Sequence, residues 1–193
     1  MGSAARRLLD GTGYVKCLER PYVQLDPAPW NGIWKFPSIP KIDHLCWLFF
    51  HKIILTDDRL QKRGFFGPSR CMLCKDNPEF ALHLMLECRY AVQIWQELLG
   101  AWKSSFTLPC IIPDLFAGWL SRYLGSSPKN KLIIAAWTAL TKIISWKISL
   151  ERNRRIFRNK EQDVSLVAIT VKCQLNECLR DRMDDSSLCQ QDI

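Results

Sequence analysis

The sequence predicts a mainly α protein, and three observations predict it. Apolar residues recur at helical spacing rather than in alternation over most of the chain. The stretch from Lys129 to Lys160 contains neither glycine nor proline. Turn-forming residues cluster in a few places, PYVQLDPAPWNG and SSFTLPC among them, and leave long uninterrupted segments between.

Taken in order, residues 1–29 read as an irregular or disordered leader, in which Pro21, Pro27 and Pro29 break any helix. From Ile42, the dense apolar run IDHLCWLFFHKIIL is long enough for a core helix. Thr56 is placed to cap a short helix, with Asp57 and Asp58 in the first turn, where carboxylates complement the dipole. Gly64 suits its stop. Tyr90, Ala91, Ile94, Trp95, Leu98 and Leu99 form one helical face that ends at Gly100. Residues 104–127 form a proline-marked connector with a short helix. Ser127-Pro128 fits an N-cap and first-turn pair, opening a long basic helix with Ile133, Ala136, Leu140, Ile143, Ile144 and Ile148 inward. In the final helix Val164, Val167, Ala168, Val171, Leu175, Cys178 and Leu179 face the core, and Cys173 joins Cys178 as a small apolar filler. The implied division is 1–29, 30–103, 104–127, 128–183 and a disordered tail 184–193.

Composition narrows the class. The 193 residues are 48% apolar, enough for a core without disulfides. MGSAARRLLDGTG lacks the apolar stretch of a secretory signal, and the most apolar helices carry Lys52, Lys142 and Lys147. Buried helices of an intracellular protein with reduced thiols, and no membrane contact, are expected; nucleus and cytoplasm are not distinguished. The net charge of +8 is uneven: Lys129–Lys160 alone sums to +8 and Glu161–Ile193 to −4.

The chemistry-bearing stretch is CMLCKDNPEFALHLMLEC. Cys71 and Cys74 have the spacing of a metal knuckle, and His83 and Cys88 complete an ordered Cys-Cys-His-Cys set. On one continuous helix, His83 and Cys88 would point about 140° apart. A break is therefore expected at HLMLE, with a new helix starting near Cys88-Arg89 and its N-terminus lowering the Cys88 pKa. Four protein ligands close a tetrahedron, so the ion is structural, and thiolates with imidazole select Zn2+. Arg70, Lys75 and Arg89 are placed to offset the site's negative charge.

The residues WNGIWKFPSIPKIDHLCWLFFHKIILTDDRLQKRGFFGPSRCMLCKDNPEFALHLMLECRYAVQIW resemble the zinc-binding domain that follows the reverse transcriptase in plant-type LINE (non-LTR) retrotransposon polyproteins. The resemblance is carried by Trp30, Ile33, Trp34, Lys35, Pro40-Lys41, Trp47, Leu55-Thr56, Asp58-Arg59-Leu60, Arg63-Gly64, Cys71, Leu73, Cys74, His83, Leu84, Cys88 and Ile94-Trp95. SWKISLERNRRIF extends it to about residue 160. The resemblance implies a non-enzymatic module with one structural Zn2+ that binds RNA or DNA, beside reverse transcriptase or RNase H domains. An architectural or protein-interaction module without nucleic-acid affinity is the alternative.

Two groups of cations are the candidate phosphate contacts. One is Arg59, Lys62, Arg63 and Arg70, with Phe65 and Phe66 available for stacking. The other is Arg152, Arg154, Arg155, Arg158 and Lys160. Trp119, Trp137 and Trp146 read as core. Asp57-Asp58 lacks the strand-turn-strand setting of a polymerase carboxylate pair. Asp10-Gly11-Thr12 lacks the further carboxylates of an RNase H site. His44 and His51 lie two helical turns apart, too far to share a metal. No catalytic constellation emerges.

Overall fold

A computed structural model describes residues 7–9, 15–17, 39–67, 69–100, 107–116 and 130–188. Its architecture is mainly α. Within the expected leader, however, β1 (Arg7–Leu9) pairs antiparallel with β2 (Val15–Cys17), in register Arg7 to Cys17 and Leu9 to Val15. The intervening DGTGY has the composition of a hairpin connection, a signal that the proline count outweighed in the sequence.

Helix α1 (Pro40–Phe50) starts with its proline in the first turn, where the missing N–H costs nothing. It buries Ile42, Leu45, Cys46, Phe49 and Phe50. Lys52, in the left-handed region at φ 55, turns the chain out of it. Thr56, in extended conformation, precedes α2 (Asp57–Gln61), and its hydroxyl donates to the Asp58 carboxylate rather than accepting from an amide. Gly64, at φ 83, ends this segment as expected.

A single π-helical turn (His83–Glu87) leads into α3 (Arg89–Leu99), whose expected inward face is buried in full. The short α4 (Ile112–Phe116) follows within the connector. Helix α5 (Lys131–Arg158) is capped by Asn130, whose side-chain oxygen accepts from the Leu132 amide at 2.8 Å. Asn130 therefore takes the role expected of Ser127, which lies, like Pro128 and Trp119, outside the described residues. Helix α6 (Val164–Leu188) continues past the expected boundary at 183.

One apolar core joins these helices apart from α2, which buries no residue, and runs from Leu45 in α1 through Trp95 in α3 and Ile148 in α5 to Val171 in α6. Helix α5 lies at its centre, and its buried face departs from the expected one. Ile143, Ile144 and Ile148 are buried, but Ile133 is exposed, and Thr138, Thr141, Lys142 and Ser145 are buried instead. These polar groups are tolerated because each is partnered. The hydroxyls of Thr138, Thr141 and Ser145 donate to carbonyls of the preceding turn at 2.8, 3.0 and 2.9 Å. Lys142, 0% exposed, meets Asp43 of α1 at 2.7 Å. Beside this pair, burial pushes the Cys46 thiol up to about 12, leaving it an apolar filler.

Among the described residues α5 is the one helix long and apolar enough to cross a membrane, and 50% of its most apolar window is buried inside the protein. On α6, Val167, Ala168 and Val171 are buried, while Cys173 is exposed because it falls off that stripe. Cys110 is disulfide-bonded, against the expectation of reduced thiols throughout.

Candidate metal centre

The knuckle is a tight hairpin-like loop. The Cys71 amide donates to the Asn77 carbonyl at 2.8 Å, the Lys75 amide to the Cys71 carbonyl at 2.8 Å, and the Glu79 amide to Ser69 at 2.9 Å. Lys75, at φ 62, reverses the chain just after Cys74, which brings both sulfurs to the same side. The second half of the site is delivered by the break expected at HLMLE. The Cys88 amide donates to the His83 carbonyl at 2.7 Å, widening the turn by one residue, and Cys88 itself is extended at φ −62, ψ 127. These two local changes remove the divergence that a regular helix would impose on His83 and Cys88.

The result is a compact donor set. Cys71 Sγ and Cys88 Sγ lie 3.9 Å apart, and Cys74 Sγ lies 3.4 Å from His83 Nε2. All four donor atoms are within 4.8 Å of one another, and all four residues are buried. A tetrahedral zinc site with arms of about 2.3 Å to sulfur has edges of about 3.8 Å between sulfurs. Donors gathered at this spacing suit one ion, and the four cysteine and histidine side chains hold one structural zinc. The cysteines of this set form no disulfide.

The two buried thiols Cys71 and Cys88 share a hydrogen bond. A hydrogen bond from Cys88 pulls the Cys71 thiol down to about 3, and this same sharing, together with burial, pushes the Cys88 thiol up. The helix-terminal effect expected at Cys88 is present through the Ala91 amide, but it is smaller than the proton sharing with Cys71. A dication replaces the shared proton and satisfies both sulfurs.

Two arginines from the far end of α5 fasten this loop. Arg152 grips the Glu79 carboxylate through Nε at 2.9 Å to each oxygen and through Nη2 at 2.6 Å, and it also donates to the Leu55 carbonyl at 3.1 Å. Glu79 is 1% exposed, and it also accepts from the Asp57 amide at 3.3 Å, so one carboxylate ties α2, the knuckle and α5 together. Arg155 donates to the Leu73 carbonyl at 2.8 Å, inside the knuckle, and to Glu151 at 2.8 Å. Its guanidinium lies 4.4 Å over the Tyr90 ring. The Tyr90 hydroxyl, pushed up to about 12 by burial, donates to the Gln162 carbonyl at 2.7 Å.

This arrangement corrects the sequence reading in two respects. Arg152 and Arg155, each 7% exposed, face the interior and are not surface phosphate contacts. The residue that steadies the knuckle backbone is Arg155. Lys75 pairs with Glu161 and Arg89 with Asp76 at 3.0 Å, both at the surface, and Arg70 is exposed. Of the other candidate cations, Lys62, Arg63, Arg158 and Lys160 are exposed as well. Arg59 is half-buried and donates to the Lys52 carbonyl at 2.6 Å. Arg154 is half-buried, 3.7 Å from Glu151. Glu79 and Glu151 were missed from sequence, and Tyr90 was legible as a core position but not as the ring beneath Arg155. The signal that could have found Glu151 and Arg155 is their i,i+4 spacing on a helix.

A closed Cys3His centre pinned between helices defines a zinc-binding structural module. Residues 14–95 match the family described as zinc-binding in reverse transcriptase, and this part of the chain is a reverse-transcriptase zinc-binding domain. The match ends at Trp95, before the basic segment SWKISLERNRRIF. No curated protein and no solved structure shows significant similarity to the chain.

Proposed function

We propose that the chain is a non-enzymatic module of a LINE-like retrotransposon polyprotein that binds RNA or DNA beside reverse transcriptase or RNase H domains. It would act inside the cell, where thiolate ligands stay reduced. The observation that carries this reading is the set of solvent-facing cations around the zinc-pinned frame. Lys62, Arg63, Arg70, Arg158 and Lys160 are exposed and make no ion pair among the described residues. Cations left without carboxylate partners suit phosphates, which they bind by releasing counterions. A metal with four protein ligands offers no position for a reacting water, which supports a structural rather than a catalytic role.

Binding of RNA and DNA oligonucleotides across a salt series tests the proposal. Affinity should fall by roughly one decade per decade of salt for each phosphate neutralised. A flat response removes this mechanism. It would favour the architectural alternative, which exposed Phe157, Leu166 and Ile169 support as a face for a protein neighbour.

A further inference from the structure

The segment from Lys62 to Arg70 has a composition that the zinc centre does not explain. It carries Lys62, Arg63 and Arg70, no carboxylate, and two adjacent phenylalanines. Phe66 is 102% exposed and Phe65 is 64% exposed, and neither ring pairs with another aromatic ring among the described residues. Phe66 is held fully in water and Phe65 mostly so, and neither belongs to the apolar core.

The rings are nonetheless anchored to structure. On the N-terminal side the Arg63 amide donates to Leu60 at 2.9 Å, Gly64 to Gln61 at 2.9 Å and Phe65 to Leu60 at 3.1 Å. On the C-terminal side the Ser69 carbonyl accepts from the Glu79 amide at 2.9 Å, and Arg70 forms a bridge with Pro78 in the zinc loop. Two glycines flank the pair. At both Gly64 and Gly67 an added Cβ would meet nothing within 4 Å, so the backbone on either side of the rings is open to approach.

From these observations we infer that Lys62, Arg63, Phe65, Phe66 and Arg70 form a single-strand binding site, with unpaired bases stacking on Phe65 and Phe66 and the strand's phosphates meeting Lys62, Arg63 and Arg70. The assignment rests on the nucleic-acid reading above and names the form of nucleic acid. A duplex hides its base faces in its own stack and offers phosphates only, whereas a single strand offers both. Two presented rings beside three cations match the second case. An acidic protein segment would satisfy the cations and leave the rings in water.

The test uses the full zinc-loaded chain and fluorescence anisotropy. The probes are a labelled oligothymidylate of about a dozen nucleotides and a duplex of equal length. Wild type should prefer the single strand. Phe66→Ala, at a fully exposed position and so without effect on the melting temperature, should weaken oligothymidylate binding by about tenfold. It should leave duplex binding and the salt dependence unchanged. Equal losses on both probes, or no loss from the Phe65→Ala/Phe66→Ala double variant while salt-dependent binding persists, overturn the single-strand site alone. No binding of either probe at low salt overturns this site together with the nucleic-acid reading.

Discussion

Two stretches of this chain carry nearly the same chemistry in sequence, KRGFFGPSR after α2 and ERNRRIFR at the end of α5. Each mixes cations with phenylalanine, yet the structure uses them in opposite ways. In the first, Lys62, Arg63, Arg70 and both rings face water. In the second, Arg152 and Arg155 turn inward to the zinc loop, while Arg158 and Phe157 stay outside. The difference lies in satisfaction rather than charge. A buried guanidinium needs partners for its fork of donors, and Arg152 finds a whole carboxylate and a carbonyl, while Arg155 finds Glu151, Leu73 and an aromatic face. The lesson is that a basic segment is not one functional unit. Helical phase divides it.

The largest expected effect removes what both stretches attach to. Cys88→Ser takes away one of four ligands from a site whose apparent zinc affinity in finger peptides corresponds to about 10–16 kcal/mol. The variant should lose bound zinc, measured by metal analysis, and lose helicity by circular dichroism. A chelator added to wild type should do the same. A variant with full helicity and an unchanged melting temperature would refute the structural role of the metal.

Next in size is the Glu79–Arg152 pair, which sharpens the contrast between buried and exposed cations. Arg152→Met leaves a carboxylate buried beside the α2 N-terminus and should destabilise by about 3–5 kcal/mol in denaturant unfolding. Removing both charges with Glu79→Leu/Arg152→Met should cost less than the single change, because no uncompensated charge remains. An equal or larger loss in the double variant would show that the pair stabilises the fold beyond merely neutralising itself.

A smaller pair of effects separates the two sides of α5 directly. Arg155→Met should speed zinc transfer to a competing chelator, since the knuckle loses its hold on the Leu73 carbonyl. Arg158→Gln should leave both zinc transfer and stability within about 0.5 kcal/mol of wild type. It should instead reduce the slope of nucleic-acid affinity against salt by about one. Identical behaviour of the two variants in both assays would break the proposed division of labour.

These partnerships also show what sequence reading reached here. The ligand set was legible because cysteine and histidine spacing is local, and the break at HLMLE followed from helix geometry alone. The inward face of α3 was legible because all six positions are apolar. The inward face of α5 was legible only at Ile143, Ile144 and Ile148, since Thr141, Lys142, Ser145, Arg152 and Arg155 read as polar and hence outward. Their partners are set by tertiary contact. Arg152 and Glu79 are separated by 73 residues and Arg155 and Leu73 by 82, distances over which periodicity carries no information. Glu79 itself sits in KDNPE, which reads as a solvated loop. The Asn130 cap was overlooked because Ser127-Pro128 offered a stronger local pattern three residues earlier.

The smallest expected effect lies where the clamp meets the surface. Glu161 follows α5, half-exposed, and accepts from Lys75 of the knuckle, with Arg155 3.7 Å away. The Lys75 hydrogen bond, then the Arg155 charge, hold its carboxyl below the ordinary value of 4.5. A depressed carboxylate stabilises the fold above its unfolded value and ceases to do so as pH falls through the folded one. Wild type should therefore exceed Glu161→Gln in urea midpoint at pH 7, with the gap steady down to about pH 5 and closing below it. Solvent screening keeps the gap small and should shrink it further in high salt. Protonation of the zinc ligands in acid affects both proteins alike and drops out of the difference. A gap that persists unchanged at low pH would mean that Glu161 acts by packing or loop conformation, and that the electrostatic tie between α5 and the zinc loop ends at Arg155.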